Sequence, residues 1–230
     1  CTGAIDVYVD YSGTIWATIM KRIDVPDDSR IVLDEVARYL ADEHDITLVG
    51  ALGFENAYAL AMRRQQTRAL GIRRISDLTP HAMGLEIAGD YEFFVRPEWS
   101  ALVETYGLKF GKRRSMDASL MYQAVAAKQV DVISAFSTDG RIVAFDLAVL
   151  SDDRHAIPPY DAIMLAGPQV SREERAVLSA LADLVGAIDA AEMRRMNLAV
   201  DRDGRSPSAV AGEFLREEPV EPRKAGVGEH

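Results

Sequence analysis

Two kinds of apolar pattern alternate along the chain. Short runs that are apolar at every position or every second one indicate strands, and longer stretches with apolar residues three or four positions apart indicate helices. The predicted strands cover residues 5–9, 46–52, 58–62, 85–88, 108–112, 130–135, 144–150 and 162–165. The predicted helices cover residues 14–22, 29–43, 75–83, 97–106, 117–128, 171–188, 190–200 and 206–216. This alternation predicts an α/β protein with mostly parallel sheets.

Polar residues mark the ends of several predicted helices. Asp117 is a candidate N-cap for the helix that follows it. Glu173 and Glu174 lie in the first turn of the long predicted helix 171–188, where the helix dipole favours carboxylates. Residues 216–230 are charged and contain two prolines and two glycines, so we expect a mobile tail there.

Composition narrows the class of protein. The chain has 230 residues, of which 48% are hydrophobic and 27% charged, as in ordinary globular domains. It contains no run of about 18 apolar residues, so the sequence predicts no membrane span. The net charge of −10 argues against nonspecific nucleic-acid binding, and one cysteine with four scattered histidines argues against zinc. We expect no metal, no cofactor and no nucleic-acid partner.

The start of the chain leaves two interpretations open. No charged segment followed by an apolar segment precedes the first predicted strand, so the sequence predicts no signal peptide within this chain. Cys1 is either the lipid-bearing first residue of a lipoprotein or a free cysteine at the end of a trimmed chain.

Motifs that would indicate catalysis are missing from the sequence. Neither the GxGxxG nor the GxxxxGK[ST] phosphate loop is present, and neither is the GxSxG nucleophile motif. His44, His81 and His155 lie in polar, loop-like surroundings without metal-ligand spacing. An enzyme is therefore the least favoured interpretation, because no nucleophile and base stand out as a pair.

Four aromatic residues lie where predicted strands meet turns. These are Tyr11, Tyr58, Phe136 and Tyr160, each beside glycine, asparagine, serine or proline. Ligands of α/β proteins bind at such strand ends, and several converging π faces attract a quaternary ammonium group. The alternative is that these rings pack in the core or at its rim.

Four segments resemble one known family in the same order along the chain. They are DVYVDYSGT at 6–14, LGFENAYAL at 52–60, DVISAFSTDGR at 131–141, and LSDD with PPY between 150 and 160. They are similar to the substrate-binding proteins of osmoprotectant ABC importers, which bind glycine betaine, choline, carnitine and related solutes. The resemblance extends over nearly the whole chain.

The resemblance implies a type II periplasmic-binding-protein fold, in which two α/β lobes close on a ligand by hinge motion. Lobe one is expected to comprise residues 1–63 and 146–215, and lobe two residues 64–145. The chain is expected to cross between the lobes near 58–64 and again near 142–150.

The resemblance also implies a ligand site. The aromatic cage of the family falls on Tyr11, Tyr58, Phe136 and Tyr160, and Asn56 falls on a polar position beside it. Phe136 departs from the tyrosine more usual there, so that ring keeps its π face and loses a hydroxyl group.

Two further positions are implied to bind the carboxylate of a zwitterionic ligand. Thr14 would use its hydroxyl group or an N–H at a helix start, and Arg96 would contact the carboxylate from lobe two. For Asp139 we expect a structural role in a turn or hinge.

This sequence departs from the family in one respect. The family begins with a βαβα stretch of about 45 residues at ordinary element lengths, and this chain starts after it. Lobe one is therefore expected to be incomplete at its N-terminus. Because a missing strand exposes a sheet edge, a homodimer or strand exchange is expected.

The sequence thus favours a non-catalytic solute-binding component of an ABC importer. It would work outside the cytoplasm, in the periplasm or on the outer face of the cytoplasmic membrane, with a membrane permease and an ATPase as partners. The alternative is a sensory or regulatory module of the same fold that no longer serves transport.

Overall fold

A computed structural model describes residues 5–22, 26 and 28–217 of the chain. Its strands are β1 (Val7–Tyr11), β2 (Thr47–Glu55), β3 (Tyr58–Arg63), β4 (Glu86–Gly89), β5 (Lys112–Ser115), β6 (Val132–Phe136), β7 (Leu147–Val149) and β8 (Asp161–Ala166). Its helices are α1 (Ser12–Thr14), α2 (Ser29–His44), α3 (Arg64–Leu70), α4 (Ile75–Leu78), α5 (Pro97–Tyr106), α6 (Ala118–Ala126), α7 (Arg141–Ala144), α8 (Pro168–Glu173), α9 (Arg175–Ala182), α10 (Ala190–Asp201) and α11 (Pro207–Glu217).

The strands form two sheets. The smaller has the order β1-β8-β2 and the larger the order β5-β4-β6-β3-β7. Among the described strands, β4 pairs in parallel with β5 and β6, whereas the other four strand pairings are antiparallel. The predicted mostly parallel sheets are therefore wrong. The apolar pattern identifies strands but carries no direction, and β2 runs into β3 through residues 56–57 without a crossover helix.

Each sheet has apolar side chains packed on both faces. Successive residues of β8 point to opposite faces of the smaller sheet. Ile163 packs with Val32, Val36 and Leu40, whereas Ala162 packs with another cluster that includes Phe54. In the larger sheet, Leu60 and Ala61 of β3 likewise enter different clusters. Each sheet consequently has its own core.

The pairing of two strands bears on the predicted lobes. β3 and β7 pair within the larger sheet, with β4, β5 and β6, although the sequence placed residues 58–63 and 146–149 in lobe one. The division into lobes stays a prediction. Cys1 and residues 218–230 of the predicted tail lie outside the described residues.

Local signals explain which helices were predicted well. The predicted N-cap Asp117 is confirmed, because its side chain accepts the Ser119 N–H at 2.8 Å at the start of α6. The predicted helix 14–22 is instead the short α1 followed by a π-helical turn, Ile15–Ile19. The predicted helix 171–188 is broken into α8 and α9, and the segment after α9 binds β2 through the Gly186 N–H and the Ala51 carbonyl group.

One edge of the smaller sheet is open. β1 pairs with β8, and among the described strands none covers its other edge. Tyr8 and Val9 of β1 are 55% and 45% exposed. In the part of the chain that the structure describes, no helix is long and apolar enough to cross a bilayer.

Candidate ligand-binding cleft

Strand pairing in the larger sheet creates an aromatic stack. Tyr58 of β3 lies directly opposite Phe136 of β6, so both side chains leave the same face, and their ring centroids are 4.8 Å apart. Phe93 also packs against Tyr58, with ring centroids 5.2 Å apart. Phe93 is buried, whereas Phe136 is 41% exposed and offers a free ring surface.

Arg96 lies over this stack. Its guanidinium carbon is 5.3 Å from the centroid of the Tyr58 ring, in cation–π geometry. Its nitrogens also pair with the buried Glu98 carboxylate at 3.2 Å and with Glu92 at 3.7 Å. The Arg96 side chain nevertheless remains 39% exposed, so it has room for a further anionic partner.

A carboxylate fixes the loop that carries these groups. The Asp90 Oδ1 atom accepts the N–H groups of Glu92 and Phe93 at 2.8 and 2.9 Å, and Oδ2 accepts the Tyr58 hydroxyl at 3.4 Å. Burial, together with the Asp90 charge, raises the pKa of Tyr58 to about 12. The Tyr58 hydroxyl group therefore stays protonated at neutral pH.

Tyr160 approaches from the smaller sheet. Its carbonyl accepts the Asn56 N–H at 3.1 Å, and its own N–H donates to Glu55 Oε2 at 3.4 Å. Burial and the Glu98 charge raise the pKa of the Tyr160 phenol, while Arg96 lowers it. The phenol of Tyr160 is therefore influenced by the charges of the Arg96–Glu98 pair.

Gly13 provides the space for the Tyr160 ring. A Cβ atom at Gly13 would lie 3.0 Å from two Tyr160 ring carbons and 2.8 Å from the Pro159 carbonyl oxygen. Beside it, the Ser12 hydroxyl oxygen accepts the Asp161 N–H at 3.0 Å. The turn after β1 and the segment before β8 therefore pack closely against each other.

The structure connects Tyr11, Thr14 and Asn56 less directly with this group. Tyr11 packs against the cluster around Leu52, and in the described residues no ring contact joins it to the other cage positions. Thr14 is half-buried at the end of α1. The Asn56 Oδ1 atom accepts the Thr138 hydroxyl at 2.9 Å. Their roles at a ligand stay predictions.

A cavity of about 890 Å³ opens between the two segments that connect the sheets. Of the seven predicted site residues it is lined by Tyr58 alone. Most of the remaining lining comes from the segment between β7 and β8 and from residues next to β2 and β3. These residues are Pro26, Asp28, Ser29, Glu55, Ala57, Ala59, Ile75, Ser137, Val149, Leu150, Ser151, Asp152, His155, Ala156, Ile157, Pro158, Pro159, Asp161, Ala190 and Arg194. Its volume lies within the range of small-molecule sites. The cavity thus continues from the Tyr58 ring along the connecting segments.

Carboxylates that the sequence analysis did not single out line this cavity. Burial raises the pKa of both Glu55 and Asp161. The Asp161 Oδ2 atom is buried and has no hydrogen-bond partner in the structure. Glu98 and Phe93 were missed as well. Both stand close to Arg96 in sequence, and that proximity was the one signal for them.

Asp139 has the structural role expected for it. Its Oδ1 atom accepts the Arg141 N–H at 2.9 Å at the start of α7, and its Oδ2 atom accepts the Tyr122 hydroxyl at 2.9 Å. Asp139 therefore holds the turn after β6, directly behind Phe136.

Comparison with known families identifies the chain's relatives. Residues 2–217 match the OpuAC family, described as the substrate-binding domain of the ABC-type glycine betaine transport system. A glycine-betaine-binding protein of Pseudomonas aeruginosa is 31% identical over 232 residues, which cover 94% of this chain and 73% of that protein.

A second relative is a longer protein. The ergothioneine transport permease/ergothioneine binding protein EgtU of Helicobacter pylori is 28% identical over 214 residues. The match covers 93% of this chain and 38% of EgtU, so the chain spans less than half of that relative.

A solved structure confirms the fold. The crystal structure of a glycine betaine/carnitine/choline ABC transporter superimposes with a TM-score of 0.89 at 30% identity, covering 95% of this chain and 80% of that one. The two sheets are those of a type II periplasmic-binding-protein fold. The chain belongs to the OpuAC family, the substrate-binding domains of ABC-type glycine betaine transport systems.

Proposed function

We propose that this chain captures a small quaternary-ammonium solute, such as glycine betaine, choline or carnitine, between its two sheets. The exposed Phe136 ring packed against Tyr58, with Arg96 over the Tyr58 ring, is the observation that carries the proposal. Tyr160 would face these rings from the smaller sheet. The chain would act without catalysis, outside the cytoplasmic membrane. It would deliver the solute to a membrane permease driven by an ATPase.

The chemistry of the cage favours a fully alkylated ammonium group. Aromatic faces attract a cation but accept hydrogen bonds poorly, so an ammonium with N–H groups would lose its hydration there without replacement. A trimethylated nitrogen has no such hydrogen bonds to lose. Tyr11 would complete the cage, and Asn56 would contribute a polar group beside it.

The other end of the site suits a carboxylate. Arg96 is partly exposed, and its guanidinium group can bind a carboxylate in bidentate fashion while Glu98 holds it from behind. Thr14 would donate its hydroxyl group from the opposite sheet. A zwitterion such as glycine betaine would therefore be bound at both ends.

Ligand capture would involve closure of two lobes, one built on each sheet. The chain crosses between the sheets at 56–57 and again between β7 and β8. The first connection is two residues and the second is residues 150–160, and the cavity lies between them. This arrangement supports a hinge at this position.

The open edge of β1 supports one further proposal about partners. An edge strand with exposed Tyr8 and Val9 can accept another strand by β-augmentation. We propose that a second copy of this chain, or an exchanged segment, covers it.

Isothermal titration calorimetry tests the ligand class. Glycine betaine, choline and carnitine are titrated into the protein, with glycine as the ligand that lacks N-methyl groups. Glycine betaine is expected to bind at least about tenfold more tightly than glycine, equivalent to about 1.4 kcal/mol. Equal affinity for the two, or no binding of any quaternary amine, would contradict the proposal.

A pair of tyrosine variants links the binding to the cage. Tyr58→Ala is expected to abolish most of the affinity, because it removes the centre of the aromatic stack. The matched control is Tyr91→Ala, since Tyr91 is 71% exposed. Similar losses in both variants would place the ligand elsewhere.

A further inference from the structure

Helix α10 contacts the smaller sheet and the turn that follows β6 of the larger sheet. At its start, Ala190 and Met193 pack on the cluster that includes Leu52 and Phe54 of the smaller sheet. The segment before it is tied to β2, because the Ile188 N–H donates to the Leu52 carbonyl at 3.1 Å. The first half of α10 is therefore fixed to the smaller sheet.

The second half of α10 is attached to the turn after β6, which belongs to the larger sheet. The Asn197 Nδ2 atom donates to the Thr138 carbonyl at 2.8 Å. A Cβ atom at Gly140 would lie 2.6 Å from the Leu198 nitrogen and 2.7 Å from its Cα atom. Only glycine allows this approach of two backbones without displacement.

The same turn is joined to the segment between β2 and β3. Thr138 is buried and donates its hydroxyl hydrogen to Asn56 Oδ1, and the Ala57 N–H donates to the Ser137 hydroxyl oxygen at 3.1 Å. Asn197, Thr138 and Asn56 thus form a chain of contacts from α10 to one of the two connections between the sheets.

We propose that α10 is a strut that sets the separation of the two sheets in the ligand-free protein. Asn197 and Gly140 are its positioning residues. They do not need to contact a ligand, because they act through the turn at 137–140. A helix anchored at both ends transmits a displacement of one end to the other, since its backbone hydrogen bonds make it stiff. This proposal does not depend on the identity of the ligand.

Double electron–electron resonance measures the separation directly. Spin labels are placed at Arg38→Cys on α2 and Glu104→Cys on α5, because both positions are exposed and their helices pack on different sheets. Cys1→Ser removes the single native cysteine from the labelled protein. Distances are recorded without ligand, so the result does not depend on the proposed function.

Two variants test the strut, and each has a matched control. Gly140→Ala and Asn197→Ala are expected to shift or broaden the distance distribution. Gly84→Ala is the glycine control, since a Cβ atom there meets nothing within 4 Å. Arg195→Ala is the control on α10, because the exposed Arg195 pairs with Glu192 of the same helix. Both controls are expected to give the wild-type distribution.

The outcomes separate the strut from a merely structural role. A wild-type distribution in a folded Asn197→Ala variant would overturn the proposal, even if its thermal midpoint were lower. The same shift in all four variants would also overturn it. If Gly140→Ala does not fold, Asn197→Ala with its Arg195→Ala control decides the question alone.

Discussion

The Arg96 guanidinium carbon lies 5.3 Å from the centroid of the Tyr58 ring, so the protein places one of its own cations on a ring of the proposed cage. A ligand cation must share the stack with this group or take a different face of it. Because Glu98 and Glu92 partly neutralise Arg96, such sharing costs less than it would beside an unpaired charge.

Replacing Arg96 should separate zwitterionic ligands from purely cationic ones. Arg96→Ala is expected to lower the affinity for glycine betaine by about tenfold to a hundredfold, because it removes a charged hydrogen-bond pair. Choline lacks a carboxylate and should be affected little, or bind more tightly, because the Glu98 charge is then unpaired. Calorimetric titration with both ligands measures the difference.

Arg113→Ala is the control for this variant. Arg113 of β5 also lies over aromatic rings, 5.7 Å from Phe94 and 5.9 Å from Trp99, whereas Arg96 lies over Tyr58. Its loss should leave both ligands unchanged. Equal losses of betaine and choline in Arg96→Ala would show that Arg96 does not hold the carboxylate.

Gly13→Ala should displace Tyr160 from the cleft. The added methyl group would come within 3.0 Å of the Tyr160 ring and 2.8 Å of the Pro159 carbonyl oxygen, so the ring must move. Affinity for glycine betaine is expected to fall by about tenfold, or about 1.4 kcal/mol. Gly84→Ala, where the space is open, should bind like the wild type. Unchanged affinity in a folded Gly13→Ala protein would mean that Tyr160 is not part of the cage.

Asp161→Asn should change how stability depends on pH. Burial raises the folded-state pKa of Asp161 above its ordinary value of 3.8, so the folded protein binds this proton more tightly than the unfolded chain does. The free energy of unfolding of the wild type should therefore increase as the pH falls through the raised pKa, because Asp161 then becomes neutral. Above that value, the charged side chain is a penalty.

Thermal unfolding at two pH values checks this expectation. Asp161→Asn is expected to raise the unfolding midpoint at pH 7, where it removes a half-buried charge whose Oδ2 atom is buried and has no hydrogen-bond partner. The advantage should shrink near pH 4. An equal increase of the unfolding midpoint at pH 7 and near pH 4 would argue against a role for the Asp161 charge.

The exposed edge of β1 should control assembly. Light scattering coupled to size-exclusion chromatography is expected to show a dimer or larger species. Val9→Pro removes a backbone N–H group from β1 and disrupts its flat apolar edge. It should therefore shift the population towards monomer. A strictly monomeric wild-type protein would contradict the proposal that another strand covers β1.

Much of the fold could be predicted from local pattern. The predicted helix 97–106 coincides with α5, and α6 begins after Asp117 as expected. Strand direction could not be predicted, because antiparallel pairing of β3 with β6 depends on how the chain returns to a sheet. The register that brings Tyr58 opposite Phe136 likewise arises from contacts between distant segments.

The candidate site could be predicted in part. Tyr58, Phe136, Arg96 and Tyr160 are all predicted from motifs. The structure brings Tyr58, Phe136 and Arg96 together, and the place of Tyr160 beside them stays a prediction. The partners of Arg96 were not foreseen, since a carboxylate two residues away along the chain is common and proximity in sequence is too weak a signal to single one out. The acids of the cavity were missed because Glu55 and Asp161 lie far apart in sequence.

The order β1-β8-β2 has a consequence for how the protein forms. The larger sheet is built from one uninterrupted stretch, residues 58–149. In the smaller sheet, β1 and β2 can pair only after β8 has been synthesised, much later along the chain. We expect the larger sheet to fold first, because its contacts close shorter loops. Until residues 161–166 arrive, β1 and β2 have exposed apolar faces and no shared partner. We expect this partly folded chain, rather than the native protein, to be the form that aggregates during synthesis or refolding.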